Sequence, residues 1–448
     1  MKKIQLFFAF TFSIISTNLY SQSWNYVGNA GLSESTANHL SLDIDLPSGD
    51  LFLAFQDLNF DGKLTLIKYT EQNNDWDENP LISSSSIGYA NFIDLQIDDA
   101  GLVNLSFIDG GFADSLTIIR QSNSGDFFTE GTHPNSTSQF VSGYGVNTII
   151  RNDNNTRYVI SYANNIIRFL DNNSNLWGTS NIVANINISE LSFDFIYGTG
   201  YVAYSNLSDN GNIDIKKLSP SSVTETYDNI SDGLSNYIDL VINPLTLVPY
   251  VAFQDIANSG KVTVKKLNGD TWELVGEEAF TDGLANYVDL AFDSNGIPYV
   301  AFQDASFSNK LSVMSFNGTS WNYVGDRGIT SSSASYSSIK LNSNGEVFVA
   351  FKDGSVGNKA SVMRYGVTAG VDDQNQLDIS IYPNPTSDMV YIDGNYSQLK
   401  AVVYDILGKE ILNKSITNSI DIRHLENGIY ILQLSDGVKL TTKRIIKN

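Results

Sequence analysis

One acidic side chain recurs through this 448-residue chain at the end of a short pattern: small residue, aromatic, any residue, then Asp or Asn. It appears as Asp57, Asp109, Asn164, Asn206, Asp255, Asp304 and Asp353. Oxygen-bearing side chains at one repeated station could ring a cation or hydrogen-bond sugar hydroxyls. They could equally close turns. Asp57, Asp255, Asp304 and Asp353 are followed, six positions on, by Lys63, Lys261, Lys310 and Lys359. That offset across a hairpin fits a local ion pair or a turn-capping carboxylate, and a structural role is the expectation.

The first of these stations opens DLNFDG (57–62), which has the start of a calcium loop. Asp57, Asn59 and Asp61 would supply oxygens and Gly62 the turn. Lys68 stands where an EF-hand has its bidentate Glu, and the next residues read as a strand, so an ordinary polar hairpin loop is the competing reading. No other cofactor is expected. Asp94, Asp239 and Asp289 would matter to a glycosidase if two of them faced each other at a suitable separation. Their counterparts Ser41, Ser192 and Ser338 point instead to a small polar structural slot. The three histidines, His39, His133 and His424, form no pair with metal-ligand spacing, and His39 stands where other units carry Tyr237 and Tyr287. There is no cysteine, which removes disulfides, thiolate metal sites and thiol nucleophiles. No glycine-rich phosphate loop, no G-x-S-x-G and no His-Glu-x-x-His occurs. Catalysis therefore has no motif behind it, although a site can assemble from several units.

The elements that position these residues repeat. The cores are LAFQD (53–57), LSFID (105–109), ISYAN (160–164), VAYSN (202–206), VAFQD (251–255 and 300–304) and VAFKD (349–353), recurring about every 49 residues. The central aromatic is Phe55, Phe107, Tyr162, Tyr204, Phe253, Phe302 or Phe351, always preceded by Ala or Ser. Each unit reads as four strands. In the sixth, YVDLAFD turns through SNG into PYVAFQD, a loop leads to KLSVMSF, and Asn317-Gly318 leads to WNYVG. A four-stranded meander repeated in this way predicts the blades of a β-propeller. The last unit stops after ASVMRYG (360–366), while an orphan WNYVGN (24–29) opens the chain. The N-terminal strand is therefore expected to complete blade seven and close the ring. The layout resembles the seven-bladed propellers of the WD-repeat and Kelch type, without either sequence signature. Trp24, Trp76, Trp177, Trp272 and Trp321 fall nearly all on outermost strands, where blade packing is the simple reading. NGDTW (268–272) faintly resembles the Asp-box turn of sialidase propellers, but the full pattern is absent. The arginines of the repeat region, at 120, 151, 157, 168, 327 and 364, suggest no carboxylate-binding cluster.

Charge and termini give the address. The formal net charge is -22, and residues 22–366 hold all of it, because the acids and bases elsewhere cancel. Such a surface repels nucleic acid, so no nucleic-acid partner is expected. Lys2 and Lys3, the apolar run Ile4 to Ile15 and the small Ser21 read as a secretory signal peptide over 1–21, too short to span a bilayer. No transmembrane helix is expected. Residues 367–377 read as a linker, and residues 378–448 as a small antiparallel sandwich.

Residues 378–448 resemble the type A C-terminal sorting domain of the type IX secretion system of Bacteroidetes. The resemblance rests on Tyr382, Pro383, Asn384 and Pro385 (YPNP), on Asp405, Gly408 and Lys409 within VVYDILGKEIL, and on Asn427, Gly428 and Tyr430 within LENGIYILQLSDG. It implies passage through the periplasm, handling by the type IX machinery and its sortase, and release or attachment to surface lipopolysaccharide. The expectation is an all-β chain: a seven-bladed β-propeller at 22–366, then an Ig-like sandwich. Its work is expected to be non-catalytic binding of an extracellular glycan or protein. The alternative is a secreted carbohydrate-active enzyme with its site in the propeller funnel.

Overall fold

The computed structural model describes residues 22–448 apart from 78, 84–87, 113–114, 133–146, 151–156, 164–165, 174–175, 178–180, 221, 367–378, 395, 397, 406–408, 437–439 and 448. The signal segment, the linker, His133, Asn164, Arg151 and Gly408 thus lie outside the described residues. Two compact units emerge, Gln22–Gly366 and Val367–Asn448. No α-helix occurs among the described residues.

The first unit is a succession of antiparallel sheets, each a blade. Blade one runs outward from Ala37–Ile44 through Leu51–Asp57 and Lys63–Thr70 to Asp75–Trp76. The inner strands of blades two to seven are Ala90–Ile97, Asn147–Ile150, Ile188–Ile196, Ser235–Ile242, Ala285–Phe292 and Ala334–Leu341. Each inner strand packs on those of the blades before and after it, and that of blade seven packs on that of blade one, so the ring is closed. Blade seven takes its outermost strand from the start of the chain: Ser23–Tyr26 pairs with Lys359–Gly366, Trp24 opposite Tyr365 and Tyr26 opposite Met363. The expected strand borrowing is what the fold shows.

The second strand of each blade is covered on both faces by neighbouring blades. That is why it reads as an unbroken apolar run rather than an alternating one. Phe55, Phe107, Phe253, Phe302 and Phe351 are all buried, and the preceding Ala54, Ser106, Ala252, Ala301 and Ala350 have no exposed surface. The small side chain lets the adjacent blade approach, and the aromatic fills the wedge between them.

The outer strands are latched by tryptophan. Trp24 Nε1 donates to Val324 O at 2.7 Å, Trp76 Nε1 to Val27 O at 2.8 Å and Trp321 Nε1 to Val275 O at 2.7 Å. Each acceptor valine is followed by a glycine with positive φ, and each glycine lies under the incoming ring. A Cβ on Gly28 would sit 2.8 Å from the Trp76 ring, and one on Gly276 or Gly325 would meet Trp321 or Trp24. The W-x-x-V-G spelling of residues 24–28, 272–276 and 321–325 is thus both plug and socket. Trp272 breaks the pattern, because its buried Nε1 has no partner. Trp321→Phe should therefore cost about 1–3 kcal/mol, leaving Val275 O without its donor, whereas Trp272→Phe should be nearly neutral. Parallel urea titrations of the two variants check this; equal losses would mean that the indole hydrogen bond is not what latches the blades.

The second unit packs a sheet of Ile379–Tyr382, Met389–Gly394 and Ser419–Asp421 against one of Glu410–Ile416, Leu399–Asp405, Gly428–Ser435 and Leu440–Lys447. Its own core, including Val390, Leu399, Val403, Ile420, Leu432 and Ile445, makes it an independent β-sandwich.

Candidate functional site

The inner strands of blades one, two, four, five, six and seven line a central cavity of about 370 Å³, with His39, Phe92, Asp94, Tyr287, Tyr336 and Lys340 among its residues. Its geometry comes from one repeated device. In blades one, two, four, five, six and seven the pairing of first and second strands slips by one residue, for example between Asn38 and Ser41 and between Asn286 and Asp289. A bulge inserts one residue and re-aims its side chain. The residue at the bulge is His39, Phe92, Tyr237, Tyr287 or Tyr336, each with φ between 47° and 54°; blade four has Glu190 at that place. Left-handed backbone at a bulky non-glycine residue is uncommon and strained, and such strain gathers at functional sites.

These side chains form an arc near the mouth. Phe92 to His39 and His39 to Tyr336 are each 5.3 Å between ring centroids, and Tyr336 to Tyr287 and Tyr287 to Tyr237 each 5.1 Å. Successive planes turn by 42–55°, close to the angle of about 51° that sevenfold symmetry imposes. Glu190 continues the arc beside Tyr237. Burial pushes its carboxyl up to about 7, opposed by a hydrogen bond from the Tyr237 backbone. Burial and the nearby Lys352 hold His39 down to about 4, so its ring is neutral at physiological pH.

Below the arc lies a tier of inter-blade bonds. Ser41 Oγ accepts Leu95 N–H at 3.0 Å, Ser192 Oγ accepts Leu240 N–H at 2.9 Å and Ser338 Oγ accepts Leu42 N–H at 3.1 Å. Asp239 Oδ2 takes Leu290 N–H at 2.8 Å, and Asp289 Oδ2 takes Ile339 N–H at 2.5 Å. Each side chain accepts from the inner strand of the following blade. Asp239 and Asp289 thus fill the same structural slot as the serines, and their carboxyls also hydrogen-bond to each other.

Two residues further along the inner strands, Asp43 and Asp194 accept Ile97 N–H and Ile242 N–H at 2.6 and 2.7 Å. Lys340 Nζ stands 3.8 Å from Asp43 Oδ1, with both side chains keeping some water-accessible surface. Burial disfavours the ammonium, but Asp43, Asp289, Asp94 and Asp239 outweigh it and raise its pKa.

Asp194 is pushed up to about 6, first by burial and further by Asp239, against N–H bonds from Ile242 and Phe195. Burial and Asp239 raise Asp289 well above its ordinary value, and burial raises Asp43. A carboxyl raised on folding binds protons more tightly in the folded state. Its stabilising contribution is complete below the unfolded value, about 4, and is lost as pH rises through the folded one. His39 acts oppositely between about 4 and 6.5. With Asp43, Glu190, Asp194 and Asp289 around the cavity, and Asp57 and Asp214 elsewhere, raised against one imidazole, the propeller should be less stable near pH 8 than near pH 5 by about 1–3 kcal/mol. Denaturant titrations at the two values check this, and Asp194→Asn should flatten the difference.

The recurring Asp/Asn stations resolve into turn caps. Asp57 accepts Asn59 N–H at 2.9 Å, Asp353 accepts Ser355 N–H at 2.9 Å, Asp255 accepts Asn258 N–H at 3.2 Å and Asn206 accepts Ser208 N–H at 3.0 Å. Asp304 instead takes Arg327 and Ser306. In the calcium-like loop Asp57 is buried at its cap, Asn59 donates to Glu34 at 2.6 Å, and Asp61 takes a left-handed turn. Among the described residues no three acidic or histidine side chains gather as metal ligands do.

The Gln of the repeat was not singled out by sequence and proves to be a belt. Gln56 links Asn38 to Asn91, at 3.0 and 2.8 Å, and Gln254 links Asn236 to Asn286, at 3.0 and 2.9 Å. The arc was also missed, although the aligned repeats place an aromatic ring two residues before every Ser or Asp slot named except Ser192, which has Glu190.

In the second unit Tyr382 is 54 % exposed and stacks on Tyr391 at 5.9 Å. Asn384 Oδ1 accepts Ile446 N–H at 2.8 Å, and Tyr430 Oη donates to Glu426 O at 3.0 Å. Lys409 is exposed, and Gly428 opens the strand Gly428–Ser435.

Fold and site together define a closed seven-bladed β-propeller carrying a small C-terminal β-sandwich. Residues 380–448 match the family described as the Secretion system C-terminal sorting domain. A sorting domain of the type IX kind implies export, to the medium or the cell surface. No helix among the described residues is long and apolar enough to cross a membrane. Among solved structures, the Cps50 (Swd1) β-propeller domain of Myceliophteria thermophila is similar at TM-score 0.51 and 9 % identity, over 77 % of this chain and 100 % of that one; this speaks to the fold alone. The extracellular domain of a B. thetaiotaomicron protein described as a hybrid two component system gives TM-score 0.47 at 11 % identity over 95 % of this chain, which spans 58 % of that chain. The Aleuria aurantia lectin, as a mutant in complex with Fucα1-6GlcNAc, gives 0.45 at 14 % identity over 64 % of this chain and 94 % of that one. No curated protein matches the chain.

Proposed function

We propose that the propeller is a non-catalytic binder of an extracellular glycan, displayed at the surface or released after type IX export. In this reading the signal peptide is cut near Ser21 in the periplasm. The sorting domain is removed by the sortase, with release or attachment to lipopolysaccharide. The observation that carries the binding role is the arc of five rings held at strained bulges around an open cavity. Aromatic faces pack on the apolar faces of sugar rings, and the tyrosine hydroxyls serve sugar hydroxyls. The carboxylates beneath are engaged in backbone hydrogen bonds, which favours binding over glycoside hydrolysis.

A glycan array with residues 22–366, run with calcium and again with chelator, tests this. Selective binding is expected, weakened about tenfold or more by Tyr287→Ala. A calcium requirement abolished by Asp61→Ala would assign the loop of Asp57, Asn59 and Asp61 as its site. Binding indifferent to Tyr287→Ala would place the site elsewhere, and a blank array with folded protein would turn the reading to a protein ligand.

A further inference from the structure

The mouth has a charge as well as a shape. Asp94, Asp194, Asp239 and Asp289 line the cavity, and among the described residues Lys340 is the one cationic side chain in the lining. The arc above carries Glu190 and, against the Tyr336 ring, Lys352. Aromatic rings with carboxylates behind them are the surroundings in which an ammonium group is held, because the ring faces are negative and the field beneath has the same sign. The molecule already does this with its own side chains. Lys352 Nζ lies 5.7 Å from the Tyr336 ring centroid while donating to Asn38 at 2.8 Å, and Lys340 Nζ sits among the carboxylates of the lower tier. Ring spacings of 5.1–5.3 Å on a sevenfold circle put the ring centres about 6 Å from the axis, within reach of a cation held between them. A uronic acid in the same place would face the carboxylates, with Lys340 engaged among them and Lys352 donating to Asn38.

We infer that this mouth selects glycans bearing free amino groups, preferring unsubstituted hexosamine units to neutral or acidic sugars. The inference rests on the glycan-binding reading above and adds the ligand class. It is tested by calorimetry on residues 22–448 with three oligomers of equal length: β-1,4-glucosamine, its N-acetylated form and galacturonate. The glucosamine oligomer should bind about tenfold more tightly than the acetylated one, and the galacturonate oligomer not measurably. The preference should shrink as salt is raised. It should also shrink in Glu190→Gln, which keeps the side chain's shape.

Tyr287→Ala separates a site from diffuse attraction, since it leaves the net charge unchanged and should remove most of the glucosamine binding. Equal or tighter binding of the acetylated oligomer would overturn this inference and leave the glycan reading standing. Binding of none of the three would overturn the inference, and the array decides the broader reading independently. A preference untouched by Tyr287→Ala would also overturn it, by showing that the overall negative charge attracts the amines.

Discussion

A chain that begins at Asn29 instead of Gln22 should fail to close its ring. The strand Ser23–Tyr26 covers the edge of Lys359–Gly366, and Val27 N–H continues the pairing onto Val362 O at 2.9 Å. Trp24 donates to Val324 O, and Tyr26 Oη donates to Asp353 Oδ2 at 2.9 Å. Val27 and Gly28 are the socket for Trp76. Losing a packed tryptophan alone costs about 3–5 kcal/mol, and each stranded partner about 1 more. Against a typical total of about 5–15 kcal/mol, that is a large share. Residues 29–366 should melt at least about 10 °C below 22–366, or be recovered only as aggregate through the bared edge. Thermal melts followed by circular dichroism decide it, and melting points within about 2 °C would show that the ring holds without the strand. The same geometry constrains processing: a cut after Ser21 leaves the strand whole, and a cut a few residues later destroys blade seven.

Deletion of residues 378–448 should leave a folded propeller in the wrong compartment. The sandwich has its own core, and the propeller closes using only residues of Gln22–Gly366. The truncated chain should therefore resist protease as the intact propeller does, yet be found almost wholly in the periplasm of a host with type IX secretion. Immunoblots of periplasm, surface and medium check this. Undiminished surface or extracellular protein would refute the sorting role. Fusing 378–448 to an inert exported reporter is the reciprocal experiment, and the reporter should appear outside.

Much of this was legible in the residues because propeller architecture is repetitive. Each blade meets the same wedge-shaped space, so Ala252-Phe253 and Ala301-Phe302 must solve one packing problem in one way. The orphan Trp24 strand and the strandless end at Gly366 are complementary defects, visible without coordinates. The sequence leaves the Asp stations as ion pairs or turn caps, and Asp57, Asp255 and Asp353 are caps. Bulge conformations were not legible. Nothing in Asn286-Tyr287-Val288 announces a left-handed tyrosine, since propensity disfavours it and only the surrounding blades impose it. The roles of Gln56 and Gln254 depend on the next blade's Asn91 and Asn286, which only the closed ring brings beside them.

The sequence by itself determined the number of blades, the closure by a borrowed strand and the C-terminal label. All three depend on spacing along the chain and on local hydrophobic pattern. Only the tertiary structure decided what the centre of the ring contains. His39, Phe92, Tyr237, Tyr287 and Tyr336 come from blades spread over some three hundred positions of sequence and meet at one mouth only after the ring closes. Spacing along a chain fixes which neighbours a strand has. Convergence on an axis is a property of the closed circle.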